Sequence, residues 1–177
     1  MHLPLTITTT RLHWRPLMVS DAAAIYRQFS DPDMCRYFTE PPCSYSEAQD
    51  IISHYRTSTG RYMRWVMCDA TTGQFVGTCG YHYLDESRQQ VELGYDIWKA
   101  YWGAGYMREV LPMLIDICRT YLPITVVYVL VHRQNAASMR VAERAGFVAT
   151  TPLRQLDSAD ECCLSYQVIQ SLSQAVG

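Results

Sequence analysis

The chain has 177 residues, 49% of them hydrophobic and 18% charged, and its 15 basic and 17 acidic residues give a formal net charge of −2. This length predicts a single domain over residues 1–177 with one substantial core. The near-neutral charge argues against a nucleic-acid-binding protein, no apolar run reaches the roughly 18–20 residues that span a membrane, and residues 1–10 lack the features of a secretory signal, so we expect a cytoplasmic protein.

The first half of the chain predicts a strand, two helices and an antiparallel meander. Alternating β-branched residues over 6–17 predict one strand, and a helix follows over 20–29. Ser44 and Glu47 have the spacing of a reciprocal capping box, which predicts a second long helix from there to residue 57. Short polar turns separate three strand-like runs that form the meander, over residues 62–69, 74–84 and 90–97.

The second half predicts alternating helices and strands. Apolar residues recur at three-and-four spacing over 105–121, which indicates an amphipathic helix, with Pro112 expected to cause a kink or an irregular turn. The apolar run 124–131 predicts a buried strand, and a short helix over 135–145 ends at Gly146. Two final strands are predicted over 147–151 and 161–169. The pattern indicates an α/β (or α+β) domain with an antiparallel front half and a β-α-β-α-β back half.

The cysteines predict neither disulfides nor a metal centre. There are seven of them, an odd number without a C-x-x-C pair, and the five histidines are scattered along the chain. We therefore expect small buried thiols and no bound metal.

Two glycines stand at the junction where chemistry is expected. The strand that ends at Ile97 is followed by a turn with Gly103 and Gly105, which opens the helix over 105–121. Unpaired N–H groups at such a junction, with the positive end of the helix dipole, favour binding of a phosphate or pyrophosphate. The sequence excludes a P-loop, because G-x-x-x-x-G-K-[ST] is absent, and it excludes a dinucleotide fingerprint, because Arg108 stands where the third glycine is required.

Four motifs occur together in a defined order along most of the chain. They are Thr10-Arg11-Leu12-x-x-Arg15-Pro16 with Asp21-Ala22 shortly after, Glu92-Leu93-Gly94-Tyr95, Tyr101-Trp102-Gly103-x-Gly105-Tyr106-x-x-Glu109, and Asn135-x-x-Ser138 followed by Ala145-Gly146-Phe147. With them the chain resembles the GNAT superfamily of acetyl-CoA-dependent N-acetyltransferases, and within it the RimJ/RimL-type branch. The resemblance implies a GNAT-like single domain with a central mixed, mostly antiparallel sheet and helices on both faces.

The resemblance also implies where acetyl-CoA would bind. Backbone amides of Trp102, Gly103, Ala104, Gly105, Tyr106 and Met107 would hold the pyrophosphate. Tyr95, Asp96 and Ile97 would present strand-edge groups to the pantetheine, and Asn135 would contact the same arm. The family usually has a small residue where Met107 stands, and this side chain either crowds the pyrophosphate or points into the core.

The implied reaction is direct attack of a neutral primary amine on the thioester in a ternary complex, without an acyl-enzyme. A base is needed to deprotonate the amine, and Glu92 is the first candidate, the alternative being a merely exposed strand carboxylate. Asp157 is the second candidate, followed by Asp96 or a held water. Ala142 stands where many relatives have a tyrosine acid, so Ser138 is the candidate donor to the leaving thiolate, the alternative being a merely capping hydroxyl. The N–H of Ile97 would polarise the carbonyl.

The sequence leaves the acceptor amine open between a protein N-terminus and a small molecule. Aromatic side chains are candidates for the wall of its pocket: Tyr26, Phe29, Tyr37, Phe38, Tyr81, His82 and Tyr83. No nucleic-acid or membrane partner is expected, and exposed strand edges allow a homodimer. The alternative function is a non-catalytic acyl-CoA-binding or regulatory module with the same fold, suggested by Met107 and Ala142.

Overall fold

The computed structural model describes residues 3–38, 40–58, 60–156 and 158–167, which form eight strands, five α-helices and two single-turn 3-10 helices, Val19–Asp21 and Lys99–Tyr101. The strands are β1 (Ile7–Thr8), β2 (Leu12–Pro16), β3 (Met63–Asp69), β4 (Phe75–Asp85), β5 (Gln90–Ile97), β6 (Val126–His132), β7 (Val148–Thr150) and β8 (Glu161–Gln167). The helices are α1 (Ala22–Phe29), α2 (Pro32–Cys35), α3 (Tyr45–Thr57), α4 (Met107–Tyr121) and α5 (Ala136–Arg144). No helix in the described ranges is long and apolar enough to cross a membrane.

The strands form one mixed sheet in the order β1-β2-β3-β4-β5-β6-β8-β7. Every neighbouring pair is antiparallel except β5 and β6, which are parallel. Side chains on β3 alternate between two cores, because successive residues of a strand point to opposite faces. Trp65 packs into the cluster that includes Leu111 of α4, whereas Val66 packs with Ile25 of α1 and Ile52 of α3. The predicted mixed sheet with helices on both faces is confirmed.

The prediction of one strand over residues 6–17 was wrong, because two strands form a hairpin there. Ile7 of β1 pairs with Trp14 of β2. The turn is closed by the Thr9 N–H, which donates to Leu12 O at 2.8 Å, and by the Leu12 N–H, which donates to Thr9 Oγ1 at 3.2 Å. A threonine hydroxyl that bonds to nearby backbone favours a turn over a continuous strand. The alternating pattern alone did not reveal this turn.

The predicted helices are confirmed, and α3 and α5 have side-chain caps at their N-termini, whereas Asp21 at the start of α1 makes no side-chain cap and α4 has none. Ser44 and Glu47 form the capping box of α3, and Asn135 caps α5, which ends before Gly146 with φ of +93°. The helix α4 runs unbroken past Pro112, so this residue causes no irregular turn, and its side chain is exposed. Local signals in the sequence are therefore sufficient to predict the start of α3 and both ends of α5.

The parallel pair β5–β6 is short, and this shapes the functional site. The two strands pair only at Gln90–Glu92 against Val126–Tyr128, although β5 continues to Ile97 and β6 to His132. Beyond Glu92 the facing edges of the two strands therefore have no partner strand within the described sheet. The sheet therefore opens in its centre, between two strands that are each paired with another strand along the opposite edge.

Candidate active site

A cleft of about 720 Å³ lies where β5 and β6 separate. It is lined by residues 92–96 of β5 and 129–132 of β6, with further side chains from α1, α3 and the start of α5. Five of the predicted site residues meet in this cleft: Glu92, Tyr95, Asp96, Asn135 and Ser138. The opening of the sheet thus brings together residues that are up to 46 positions apart in the sequence.

The glycine turn that precedes α4 presents a row of free amides. Gly103 and Gly105 both have φ of +75°, a left-handed conformation that favours glycine. The N–H groups of Gly103, Gly105, Tyr106 and Met107 have no hydrogen-bond acceptor among the described residues, whereas those of Trp102 and Ala104 donate to Lys99 O and Tyr101 O. Four of the six predicted amides therefore remain available to an anion at the N-terminus of α4.

The side chain of Met107 packs against the core cluster that surrounds α4. A methyl group added at Gly103 would meet no atom within 4 Å, so the outer face of the turn is open. Of the two alternatives for Met107, the structure has the one that points inward. The departure from the family pattern at this position therefore leaves the free amides accessible.

Arg11 of the β1–β2 turn fixes the glycine turn from outside. Its Nε donates to Glu109 Oε1 at 2.8 Å, and its Nη1 donates to Ala104 O at 2.8 Å. The guanidinium also lies 4.2 Å from the centroid of the Tyr106 ring. Arg11 thus joins three positions of the segment that carries the free amides.

The edge of β5 that faces the opening also carries free N–H groups. The Trp98 N–H donates to Val76 O of β4 at 2.8 Å, and because successive N–H groups of a strand alternate in direction, those of Ile97 and Tyr95 point to the opposite edge. Trp102 Nε1 donates to Ile97 O at 2.7 Å, which ties the glycine turn to the end of β5. The predicted pantetheine edge therefore lies next to the predicted pyrophosphate turn.

The start of α5 faces the same opening. Asn135 Oδ1 accepts a hydrogen bond from the Ser138 N–H at 3.1 Å, which holds the serine in the first turn of the helix. The Ser138 and Tyr95 hydroxyl oxygens lie 3.2 Å apart, within hydrogen-bond distance across the cleft. Burial raises the pKa of Tyr95, so this hydroxyl stays protonated at neutral pH. Ala142 is buried in the core and supplies no polar group.

Glu92 lies in the cleft and is paired with a cation. Arg154 Nε donates to Glu92 Oε2 at 2.7 Å, and the side chains of both residues are mostly buried. The guanidinium of Arg154 also lies 4.7 Å from the centroid of the Tyr83 ring, at the rim of the cleft. The ion pair with Arg154 fixes the position of the Glu92 carboxylate in the cleft.

A second buried ion pair crosses the sheet beside Glu92. Arg64 of β3 pairs with Asp96 of β5, and Arg64 Nε donates to Thr78 Oγ1 at 2.9 Å. Gly94 leaves room for this arrangement, since a methyl group there would lie 2.3 Å from His82 Nε2. Asp96 is therefore engaged in an ion pair on the face of α3, where it stabilises Arg64.

Not every predicted residue reaches the cleft. Phe29, Tyr37, Phe38, His82 and Tyr83 line it, but Tyr26 packs on Tyr45, and Tyr81 is buried with its hydroxyl donating to Gly60 O at 3.0 Å. Asp157 lies outside the described residues. Arg64, Tyr55 and Arg154 also line the cleft, although they were not among the predicted site residues. A lone arginine within the buried strand β3 was a usable signal for Arg64, whereas nothing local marked Tyr55 or Arg154.

Comparisons with known proteins agree with this geometry. The model of the family described as acetyltransferase (GNAT) domain matches residues 11–148. The uncharacterized N-acetyltransferase p20 of Bacillus licheniformis is 28% identical over 157 residues, which cover 87% of this chain and 88% of that protein. The uncharacterized N-acetyltransferase YoaA of Bacillus subtilis (strain 168) is 29% identical over 152 residues, which cover 84% and 86%.

Solved structures share the fold. Spermidine N-acetyltransferase from Vibrio cholerae, in complex with CoA and spermine, superposes with a TM-score of 0.79 and 19% identity, covering 92% of this chain and 98% of that one. RimL, a ribosomal L7/L12 alpha-N-protein acetyltransferase in complex with coenzyme A, gives a TM-score of 0.78 and 16% identity, covering 94% and 97%. The similarity extends over nearly the whole length of each chain.

Proposed function

This chain belongs to the GNAT acetyltransferase family and is an acyltransferase, and on that premise we propose that it transfers the acetyl group of acetyl-CoA to a primary amine by direct attack in a ternary complex. The observation that carries the proposal is the opening between β5 and β6. Glu92, the Tyr95–Ser138 pair and residues 93–96 of β5 line the cleft at this opening, and the end of β5 leads from it to the free amides before α4, which supports the proposal.

The residues present fit the coenzyme. The amides of Gly103, Gly105, Tyr106 and Met107 would hold the pyrophosphate, while Tyr95, Asp96 and Ile97 on β5 and Asn135 at the start of α5 would flank the pantetheine. When bound, acetyl-CoA supplies an acetyl thioester that is ready for attack by an amine. The open outer face at Gly103 and the inward packing of Met107 leave the approach to these amides clear.

Glu92 is the residue that we assign as general base. Its carboxylate would accept the proton that the ammonium group of the acceptor must lose, directly or through one water, and Arg154 holds this carboxylate in position. The N–H of Ile97 would donate to the carbonyl oxygen, and Ser138, held by Tyr95 and Asn135, would donate to the thioester sulfur. Asp157 and Asp96 stay alternative bases, and Asp96, like Glu92, is held by an arginine in an ion pair.

The acceptor is either a protein N-terminus or a small-molecule amine. Relatives by fold include both kinds of enzyme, since one acts on spermidine and another on a ribosomal protein. By resemblance, a tryptophan at the position of Trp102 and a serine at the position of Ser138 are usual in the RimJ/RimL-type branch, and they support assignment of this chain to that branch. The inward packing of Met107 removes one of the two reasons for a non-catalytic module.

The experiment is an acetyl-transfer assay on the purified chain. Acetyl-CoA is supplied with a panel of peptides, amino-acid amides and polyamines, and both thiol release and the acetylated product are measured. We expect acetylation of at least one class, and a loss of about 100-fold in kcat for Glu92→Gln at unchanged KM for acetyl-CoA. Glu86→Gln, in the exposed β4–β5 turn, is the matched control. Absence of any acetylated amine refutes the proposal.

We propose that the protein is cytoplasmic and that it can form a homodimer. All seven cysteines are free thiols, as a cytoplasmic protein would keep them. The edge strands β1 and β7 of the described sheet are available for pairing in a homodimer. Light scattering during size-exclusion chromatography would measure the mass, and a monomer at all concentrations would contradict the homodimer.

A further inference from the structure

A line of hydrogen bonds runs from the buried ion pair of the sheet to a tyrosine in the cleft. Arg64 pairs with Asp96 on one side, and its Nη1 lies 3.3 Å from His82 Nε2 on the other. His82 Nδ1 in turn lies 2.9 Å from the hydroxyl oxygen of Tyr55, which belongs to α3. Both His82 and Tyr55 line the cleft, and Arg64 is 9% exposed. The line joins a fixed charge to a hydroxyl group at the site.

The chemistry of the groups fixes the direction of every hydrogen bond in this line. A guanidinium has donors and no acceptor, so His82 Nε2 must accept from Arg64. A neutral imidazole that accepts at Nε2 carries its proton on Nδ1, and this proton is donated to the oxygen of Tyr55. Burial and the nearby charge of Arg64 lower the pKa of His82 to about 3, so the ring is neutral at physiological pH.

The hydroxyl hydrogen of Tyr55 is therefore left for a ligand. Its oxygen already accepts from His82, and no other hydrogen-bond partner for this hydroxyl occurs among the described residues. The reverse proton order would place a hydrogen on Nε2, facing the donor of Arg64. Tyr55 is thus held as a donor and does not relay protons.

This donor lines the same cleft as the carboxylate that we assign as base, and His82 stands between them in the sequence of contacts. His82 of β4 stands directly opposite Glu92 of β5 in the antiparallel ladder, so their side chains share one face of the sheet. An amine that approaches Glu92 would therefore have a hydroxyl donor next to it. The group that such a donor suits is a carbonyl oxygen close to the amine, as in a peptide N-terminus or an amino-acid amide.

We propose that Tyr55 is a specificity-determining residue that donates a hydrogen bond to the carbonyl oxygen adjacent to the acceptor amine, with His82 and Arg64 as the positioning residues behind it. The inference rests on the proposed function. It assigns the acceptor class as α-amino acyl compounds, in preference to amines without a carbonyl group, such as polyamines.

The test compares two acceptors and two enzymes. One acceptor is an amino-acid amide, and the other is the same amine with a methylene in place of the carbonyl. The carbonyl also lowers the pKa of the amine, by an amount comparable to the difference between an α-amino group and a lysine, so the wild-type preference by itself is not diagnostic. The diagnostic quantity is the change in the ratio of the two kcat/KM values when Tyr55 becomes phenylalanine.

We expect Tyr55→Phe to lower kcat/KM for the amide by about 5- to 10-fold, mainly through the KM for the acceptor, and to leave the methylene analogue within about 2-fold. The KM for acetyl-CoA and the pH profile should not change. Tyr45→Phe on the same helix, whose ring contacts Tyr26 outside the cleft, should leave both acceptors unaffected. An equal loss for the two acceptors would mean a merely structural role and would overturn the inference.

A second readout does not depend on turnover. The ¹⁵N shifts of the His82 ring in the wild-type protein should show a neutral imidazole protonated at Nδ1 from pH 5 to 8. A ring protonated at Nε2, or one that titrates in this range, would contradict the proposed order of hydrogen bonds. Acetylation of both acceptors without any effect of Tyr55→Phe overturns this inference alone, whereas failure to acetylate any amine overturns the proposed function with it.

Discussion

Replacing Arg11 by glutamine should weaken coenzyme binding while leaving the chemistry intact. The substitution removes the ion pair with Glu109, the hydrogen bond to Ala104 O and the contact with the Tyr106 ring. The Arg11 side chain is 41% exposed, so the ion pair is worth at most about 1 kcal/mol, and the hydrogen bond adds about 1 kcal/mol. A loss of about 1–2 kcal/mol in the ordering of the glycine turn corresponds to a rise of roughly 5- to 30-fold in the Kd for acetyl-CoA.

The assay is calorimetric titration with acetyl-CoA, together with steady-state kinetics at saturating coenzyme. We expect the Kd to rise and kcat to stay within about 3-fold, because Arg11 does not reach the cleft. Arg11→Lys should recover only part of the affinity, since lysine cannot make the forked contacts of arginine. Arg119→Gln, which breaks an exposed ion pair with Asp116, is the matched control. An unchanged Kd for acetyl-CoA in Arg11→Gln, at the same thermal stability as the wild type, would refute the role of Arg11 in ordering the glycine turn.

Three further predictions concern the turn, the helix α5 and the buried histidine. Gly105→Ala should strain the left-handed backbone by about 1–2 kcal/mol and weaken acetyl-CoA binding. The control Gly73→Ala, at φ of +72° in the β3–β4 turn, should lose similar stability in urea unfolding without loss of affinity for acetyl-CoA. Equal affinities of the two variants for acetyl-CoA would contradict the role of the glycine turn. Ser138→Ala should lower kcat by about 10-fold at unchanged KM for acetyl-CoA, with exposed Ser53→Ala as control, and wild-type rates would exclude Ser138 as a donor. The pKa of His82 falls from its ordinary 6.5 to about 3 on folding, so between these pH values the unfolded chain binds one more proton than the folded chain. Stability is therefore lost as the pH falls from about 6.5 towards 3. Thermal melts of His82→Gln over this range should show a smaller loss of stability with pH than the wild type, and an identical pH dependence would refute the buried neutral ring.

The fold could be predicted from the sequence wherever a local signal was strong. The capping box of Ser44 and Glu47, the glycine stop at Gly146 and the apolar run of β6 mark their elements without tertiary information. The hairpin of β1 and β2 escaped because Thr9 closes its turn through its own side chain, within a stretch whose alternation suits a strand.

The part of the candidate site that consists of backbone N–H groups could be predicted from the sequence. The free amides of Gly103 and Gly105 follow from a strand, a turn and a helix start in sequence order. Side-chain partners from distant segments were not predictable, because nothing local in residue 154 or residue 55 indicates that it approaches β5. Glu92 was found by its position on the strand, but its ion pair with Arg154 appears only once the chain is folded.

The central claim is that the glycine turn and the open edge of β5 bind acetyl-CoA, and its most direct test is a titration followed by backbone amide ¹H–¹⁵N shifts. We expect the largest changes at Gly103, Gly105, Tyr106 and Met107, with further changes at Tyr95 and Ile97. Saturable binding that leaves these amides unchanged and shifts another part of the molecule would contradict it.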